Sequence, residues 1–185
     1  MKSFLKKILG FLAKIFKVID NYYNKWKIFG RVPFGLVFTN NFFRKILRIN
    51  SDVKFPIHYT SRIISFKNLK LNYDSTTICS FALSGGCYFQ ALNGIELGKN
   101  FLFAPGVKLI SSNHDLADKS KVAKADPIII GDNVWLGANV VILPSVKLEN
   151  NVVVGAGSVV TKSFPDNVII AGNPARILKE QKDKE

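Results

Sequence analysis

Three observations in the sequence predict an all-β protein, a parallel β-helix of short stacked strands preceded by a basic amphipathic helix. Apolar residues recur every six positions through the second half of the chain. Glycine and asparagine recur between them, where such a coil would turn. Positive charge is concentrated in the first fifty residues, where lysines are interleaved with large apolar side chains.

The six-residue period is clearest in "IGDNVW LGANVV ILPSVK LENNVV VGAGSV VTKSFP". The first position of each hexad is Ile130, Leu136, Ile142, Leu148, Val154 and Val160. The fifth is Val134, Val140, Val146, Val152, Ser158 and Phe164, with turn-forming residues such as Gly131, Gly137, Gly155 and Gly157 between. Neither a 3.6-residue nor a two-residue period fits this pattern. A coil does: one apolar residue per side points to a shared axis, and stacked coils satisfy each other's backbone groups. The pattern is the hexapeptide signature of a parallel β-helix. The register extends upstream to Leu97, Phe103 and Leu109, with Phe101 and Val107 at the fifth position. Further up it degrades, with Ala91, Gly85 and Cys79 at the first position and Ile95, Phe89 and Leu83 at the fifth.

The chain of 185 residues suits one domain with an appendage. Residues 1–50 carry eleven basic residues and one acid, Asp20; residues 51–185 carry fifteen basic and twelve acidic. The basic character therefore belongs to the N-terminal segment, which argues against a nucleic-acid-binding fold and for an arm that meets an anionic surface. In "MKSFLKKILGFLAKIFKVID", Phe4, Leu5, Ile8, Leu9, Phe11, Leu12, Ile15, Phe16, Val18 and Ile19 fall on one half of a helical wheel. The lysines fall on the other. This stretch is too charged to cross a bilayer and lacks the cleavage site of a signal peptide. Peripheral contact of residues 1–20 with an anionic membrane, and packing of the same face on the protein or a second subunit, both stay open. Residues 28–60, with "FGRVPFGLVF", read as a connector of short strands and turns. Cys79 and Cys87 read as buried structural thiols.

The stretch "IGDNVWLGANVVILPSVKLENNVVVGAGSVVTKSFPDNVIIAGNPARILK" resembles the C-terminal half of the hexapeptide-repeat acyltransferases, of the serine, galactoside, maltose and xenobiotic acetyltransferase branch. "FPIHYTSRII", "GCYFQALNGIELGKN" and "ISSNHD" are similar to members that O-acetylate bacterial polysaccharides, so the likeness covers about residues 55–179. The resemblance implies a left-handed β-helix, a homotrimer, and acetyl-CoA bound between neighbouring subunits. It divides the chain into a helix and connector over 1–50, a β-helix over 51–170 with an excursion loop at 115–128, and a tail over 171–185 that completes the CoA site.

By the same resemblance His114 is the catalytic base. The CoA contacts fall on Trp135, Ala138, Ala156, Thr161, Lys162, Arg176 and Lys179, and the acceptor contacts on Gln90, Asn113 and Asp115. Ala138 stands where some relatives have serine, which leaves any oxyanion contact to a backbone N–H. Lys179 stands where some have arginine and loses the bidentate fork. No metal is implied; zinc chemistry on this coil would need three ligating histidines, and the chain has two.

The reaction implied is acetyl transfer from acetyl-CoA to a sugar hydroxyl, free or lipid-linked, in surface polysaccharide or lipopolysaccharide synthesis. A hydroxyl attacks a thioester only as its proton is taken, and histidine suits that task at neutral pH. N-acetylation of an amino sugar, and a non-catalytic membrane-associated scaffold, are the alternatives. The expected location is cytoplasmic, at the inner face of the cell membrane.

Overall fold

The computed structural model describes residues 9, 10, 13, 14, 17, 20, 21, 23–28 and 30–181. The described positions between 9 and 25 are helical. Of the apolar face expected over residues 1–20, Leu9 is exposed; Phe4, Leu5, Ile8, Phe11, Leu12, Ile15, Phe16, Val18 and Ile19 lie outside the described residues.

From residue 62 the chain winds as a three-sided coil, visiting three sheets in turn. Sheet A holds β1 (Arg62–Ile64), β3 (Tyr88–Gln90), β6 (Lys108–Ile110), β9 (Val141–Ile142) and β12 (Val159–Val160). Sheet B holds β2 (Leu69–Leu71), β4 (Ile95–Leu97), β7 (Ile128–Ile130) and β10 (Lys147–Leu148). Sheet C holds β5 (Leu102–Phe103), β8 (Trp135–Leu136), β11 (Val153–Val154) and β13 (Val168–Gly172), and ends in the antiparallel β14 (Ala175–Glu180). All other pairings are parallel, between one coil and the next.

The hexad register is the packing register. Leu97 pairs with Ile130 and Ile130 with Leu148; Phe103 with Leu136 and Leu136 with Val154; Leu109 with Ile142 and Ile142 with Val160. All of them are buried, as are Val134, Val140, Val146 and Val152 at the fifth position. Each such side chain withdrawn from water contributes about 1.5–3 kcal/mol, and a one-residue slip would turn a whole column outward. Ser158 interrupts the apolar fifth column, and its hydroxyl donates to the Gly155 carbonyl at 2.6 Å and accepts from Gly172 N at 3.1 Å. Cys79 and Cys87 are buried, unpaired thiols, and burial pushes both thiol pKa values up.

The upstream register fails for two reasons. Phe89, not Ala91, pairs with Leu109, so this circuit is two residues longer than the eighteen-residue circuit that pairs Leu136 with Val154. Helix α2 (Ser75–Leu83) also stands where the first circuit would place a strand of sheet C. Asp74 starts it by accepting from the amides of Thr76 at 3.0 Å and Thr77 at 2.9 Å. It then covers the edge of β5 and its approach: Phe101 N donates to Thr77 Oγ1, Asn100 N to Asp74 Oδ2, and Ser84 Oγ to the Phe103 carbonyl. An open strand edge is thereby closed. Phe81 of α2 packs on Phe55, Phe89 and Phe103 with ring centroids 4.8–5.0 Å apart, giving this end an aromatic core.

Residues 28–60 depart from expectation. In place of short strands they contain α1 (Phe34–Lys45), which starts after Pro33 and ends in Arg44 and Lys45, cations that suit a helix C-terminus. Its phenylalanines suggest strand by propensity; the four-residue spacing of Phe34, Phe38 and Phe42 is the helical signal that outweighs it.

The corner between sheets B and C is built from asparagine. Asn100, Asn133, Asn151 and Asn167 all have positive φ, from 56° to 60°. Their side chains form a ladder: each amide Nδ2 donates to the Oδ1 of the next coil, at 3.0, 3.2 and 2.9 Å. Asparagine both tolerates the left-handed conformation and supplies the rung. Asn133→Ala, which strains the corner and breaks two rungs, is expected to cost about 2–3 kcal/mol. Asn133→Gly, which relieves the backbone but not the rungs, should cost clearly less; chemical denaturation of both variants measures the difference.

Candidate functional site

The coil is interrupted at the corner between β6 and β7. Ser111 and Ser112 remain buried, and Asn113 and His114 emerge exposed. The chain then leaves the coil and returns at Ile128. The excursion is a small, tied structure. His114 and Val122 form an antiparallel bridge, Ala123 N donates to the Asn113 carbonyl at 2.9 Å, and Asp115 N to the Lys121 carbonyl at 3.0 Å. Asp115 Oδ1 caps the outward turn, accepting from Ala117 N and Asp118 N. That carboxylate oxygen is engaged in the loop. Hydrogen bonds from Ser120 and Lys121 hold the Asp118 carboxyl below its usual pKa. Leu116, at the outer turn, is almost wholly exposed.

Two side-chain amides tie this loop to the coil, and Ser145 Oγ accepts from Asp126 N at 3.1 Å on its return leg. Gln90 Oε1 accepts from both the amide and the hydroxyl of Ser112, at 3.2 and 3.1 Å. Gln90 is thereby bonded to Ser112, two residues before His114. The second is Asn93, which sequence reasoning missed. Its Nδ2 donates to the Ser111 carbonyl at 3.1 Å and the Ala123 carbonyl at 2.9 Å, clamping both legs of the excursion. Its own N–H donates to Ser111 Oγ. Nothing in "ALNGIELG" marks an asparagine as a clamp; only its partners do.

The remaining candidates fall on two edges of the prism and one face. Thr161 and Lys162 follow β12 and occupy the same A–B corner as His114, exposed, two coils further on. Ala138 and Ala156 lie on successive coils at the C–A corner, where Gly157 N donates to the Ala138 carbonyl at 2.7 Å. A Cβ on Gly137 would stand 2.6 Å from the Ala156 nitrogen, so that close contact requires glycine. The side chains at 138 and 156 are one carbon each, Ala138 half-buried and Ala156 exposed. Trp135 lies on the outer surface of sheet C with its indole half exposed, between Leu102 and Val153 in register. Arg176 and Lys179 are exposed on β14, opposite Ala171 and Ile169. One chain thus gathers Trp135, Ala138, Ala156, Arg176 and Lys179 around sheet C and its corner, and sets His114, Thr161 and Lys162 at the next corner.

His58, the other histidine, is turned into the fold. Its Nδ1 accepts from the Thr60 amide and meets the Thr60 hydroxyl at 2.8 Å, its ring stacks on Tyr59, and burial lowers its pKa.

A three-sided coil of six-residue sides, broken by one tied excursion and closed by a basic strand, defines a hexapeptide-repeat β-helix. Comparison with known proteins agrees. A family model described as hexapeptide repeat of succinyl-transferase matches residues 127–162. The chain is 33% identical over 150 residues to a putative lipopolysaccharide biosynthesis O-acetyl transferase, WbbJ, of Escherichia coli strain K12, covering 72% of this chain and 74% of that protein. It is 35% identical to the galactoside O-acetyltransferase of the same strain, over 74% of this chain, and spans 64% of that relative's length. Among solved structures it superposes on a maltose O-acetyltransferase from Clostridium difficile 630 with a TM-score of 0.50 and 34% identity, covering 70% of this chain and 64% of that one. The chain belongs to the hexapeptide-repeat acetyltransferase family, and its coil is the left-handed β-helix expected from the sequence.

The clamp role of Asn93 is testable. Asn93→Ala should cost about 1–3 kcal/mol of stability, because it leaves two carbonyls without their donor. It should also make Lys119 and Lys121 cleave faster in limited trypsin digestion, while the coil itself stays resistant.

Proposed function

We propose that this chain transfers an acetyl group from acetyl-CoA to a sugar hydroxyl in surface polysaccharide or lipopolysaccharide synthesis, with His114 as general base. The observation that carries this reading is the position of His114. It stands exposed where the coil opens into a clamped loop, at the same corner as Thr161 and Lys162. The names of the relatives support the substrate class: galactoside, maltose and lipopolysaccharide O-acetyltransferases.

In the reaction proposed, His114 accepts the proton of the acceptor hydroxyl as that oxygen bonds to the thioester carbonyl carbon. Breaking the carbon–sulfur bond releases the CoA thiolate, which takes up the proton. No acyl-enzyme is required. Gln90, held by Ser112, and Asn113 would orient the acceptor beside the imidazole. On the other substrate, the half-exposed indole of Trp135 offers a stacking face, and Arg176, Lys179 and Lys162 offer cations to its phosphates. Ala138 has no hydroxyl, so a backbone N–H at its corner would face the carbonyl oxygen as charge develops there.

Trp135, Arg176 and Lys179 lie on a different side of the prism from His114. A cleft containing both sets requires a second copy, which supports a homotrimer with its sites between neighbours. The basic segment at residues 1–20 supports a peripheral location at the inner face of the cell membrane, near lipid-linked sugar acceptors.

Removing a general base lowers rates by roughly 10²–10⁴-fold. His114→Ala is therefore expected to lower turnover by that factor while acetyl-CoA binding, read by calorimetry, is retained; an unchanged rate would reject the assignment. Arg176→Ala should weaken acetyl-CoA binding about tenfold, the loss of one charge-assisted contact. If the folded wild-type protein binds no acetyl-CoA, the scaffold reading replaces this one.

A further inference from the structure

Helix α1 is built inside out. Its buried side carries Val37, Asn40 and Asn41, and the side facing solvent carries Phe34, Phe38 and Phe42, followed in line by Ile46. The polar side chains hold it in that orientation. Asn40 Nδ2 donates to the Ala82 carbonyl at the end of α2, and Asn40 Oδ1 accepts from Tyr59 N. Arg44 Nη1 donates to the Val53 carbonyl. Rotating the helix to bury its phenylalanines would break these bonds, so the exposed apolar row is fixed by the fold. Phe38 and Phe42 stack at 6.5 Å and are 55% and 41% exposed; Ile46 and Leu47 beyond them are 66% and 49% exposed.

The stretch that carries this row, between Asp20 and the exposed Asp52, is basic. Residues 21–51 contain six lysines and arginines and no acid. Lys45 and Arg48 are exposed beside Ile46, and with Arg44 and Ser51 they line a pocket of about 360 Å³. An apolar ridge bordered by cations around a headgroup-sized pocket is the chemistry that matches the interface of an anionic bilayer. Aromatic and aliphatic side chains enter the acyl boundary there, and basic groups meet lipid phosphates. A second copy meeting it face to face would bring the same cations against this row. Among the described residues no helix is long and apolar enough to cross a membrane. A twelve-residue helix such as α1 fits contact along the surface.

We infer that Phe38, Phe42, Ile46 and Leu47, with Lys45 and Arg48, form a membrane-docking face that seats α1 on an anionic lipid surface. This face is distinct from residues 1–20 and does not depend on the acetyl-transfer reading. Its test is flotation of the full chain with vesicles of phosphatidylcholine alone or mixed with phosphatidylglycerol, which needs no enzymatic activity. The wild type should float with the anionic vesicles. Phe38→Ser with Phe42→Ser should lower that binding about tenfold or more, with circular dichroism and elution volume unchanged, because both rings already face water. Lys45→Gln with Arg48→Gln should lower binding to the anionic vesicles roughly tenfold or more, and added salt should erase the difference. Three results would overturn the inference. They are no flotation of the wild type, wild-type flotation by the Phe38/Phe42 variant, and a change of oligomeric state in that variant, which would make the face a subunit contact. Deleting residues 1–20 in parallel separates the two surfaces: loss of all binding there, with none lost in the Phe38/Phe42 variant, counts against α1.

Discussion

Every strand in this coil is only two or three residues long where the stacking is regular, so no strand carries stability by itself. What holds the molecule is the requirement that each backbone amide and carbonyl find its partner in the coil above or below. Trp135 N reaches the Val152 carbonyl, Val141 N the Ser158 carbonyl and Gly131 N the Leu148 carbonyl, so each circuit repeats the last. A buried backbone group left unpaired costs as much as several such bonds gain. The same requirement dictates the ends. At the N-terminal end side chains of α2 and its caps supply partners to β5 and its approach, and at the C-terminal end β14 folds back along β13. The corners must then turn sharply without losing register, which places asparagine and glycine in left-handed conformations.

This constraint explains where chemistry can be placed. Residues within the stacked strands are committed to pairing and packing, and their outward side chains form shallow, regular faces. A functional group that needs approach from two sides belongs at a corner, or where the chain leaves the coil altogether. Thr161, Ala138 and Ala156 are corner residues, and His114 stands at a departure. The departure has its own cost, because an excursion of about a dozen residues frays unless tied. Asn93, Gln90, Asp115 and Asp118 supply the ties, so the histidine is held on a built loop rather than a loose one.

Residues 97–164 were legible in the sequence because the rule that builds them is local: every sixth residue points inward, apart from the excursion, and the corner between is small or asparagine. Legibility ended where a non-local partner decides. Phe81 lies on a helix because β5 needs an edge cover. Asn40 is buried because the Ala82 carbonyl and the Tyr59 amide need partners. The same division runs through the site. His114, Arg176 and the corner alanines stand in motifs that the family resemblance makes readable. Asn93 was invisible, since a side-chain amide bonded to two distant carbonyls leaves no periodic trace. Asp115 is an acceptor contact by the same resemblance, and its bonds to the Ala117 and Asp118 amides give it a turn-capping part that the motif does not announce.

Stacking in register also governs charge. Residues on successive coils sit directly above one another, so like charges in one column would face each other at strand spacing and repel. On sheet B the outward column runs Lys70, Glu96, Ile129, Lys147: an ion pair at 2.8 Å, then an isoleucine that separates the next lysine. On sheet A it runs Arg62, Tyr88, Lys108, Val141, Val159, with a neutral residue beside every cation. Such exposed pairs add little stability, but the alternation lets the coil form without self-repulsion. A dense cluster of one sign therefore has no place on the stacked faces. It has to sit on segments outside the parallel ladder, and Arg176 and Lys179 on the antiparallel β14 and the cations around α1 are placed accordingly. The near-neutral coil follows from this stacking rule, and the basic N-terminal segment, outside the ladder, is free of it.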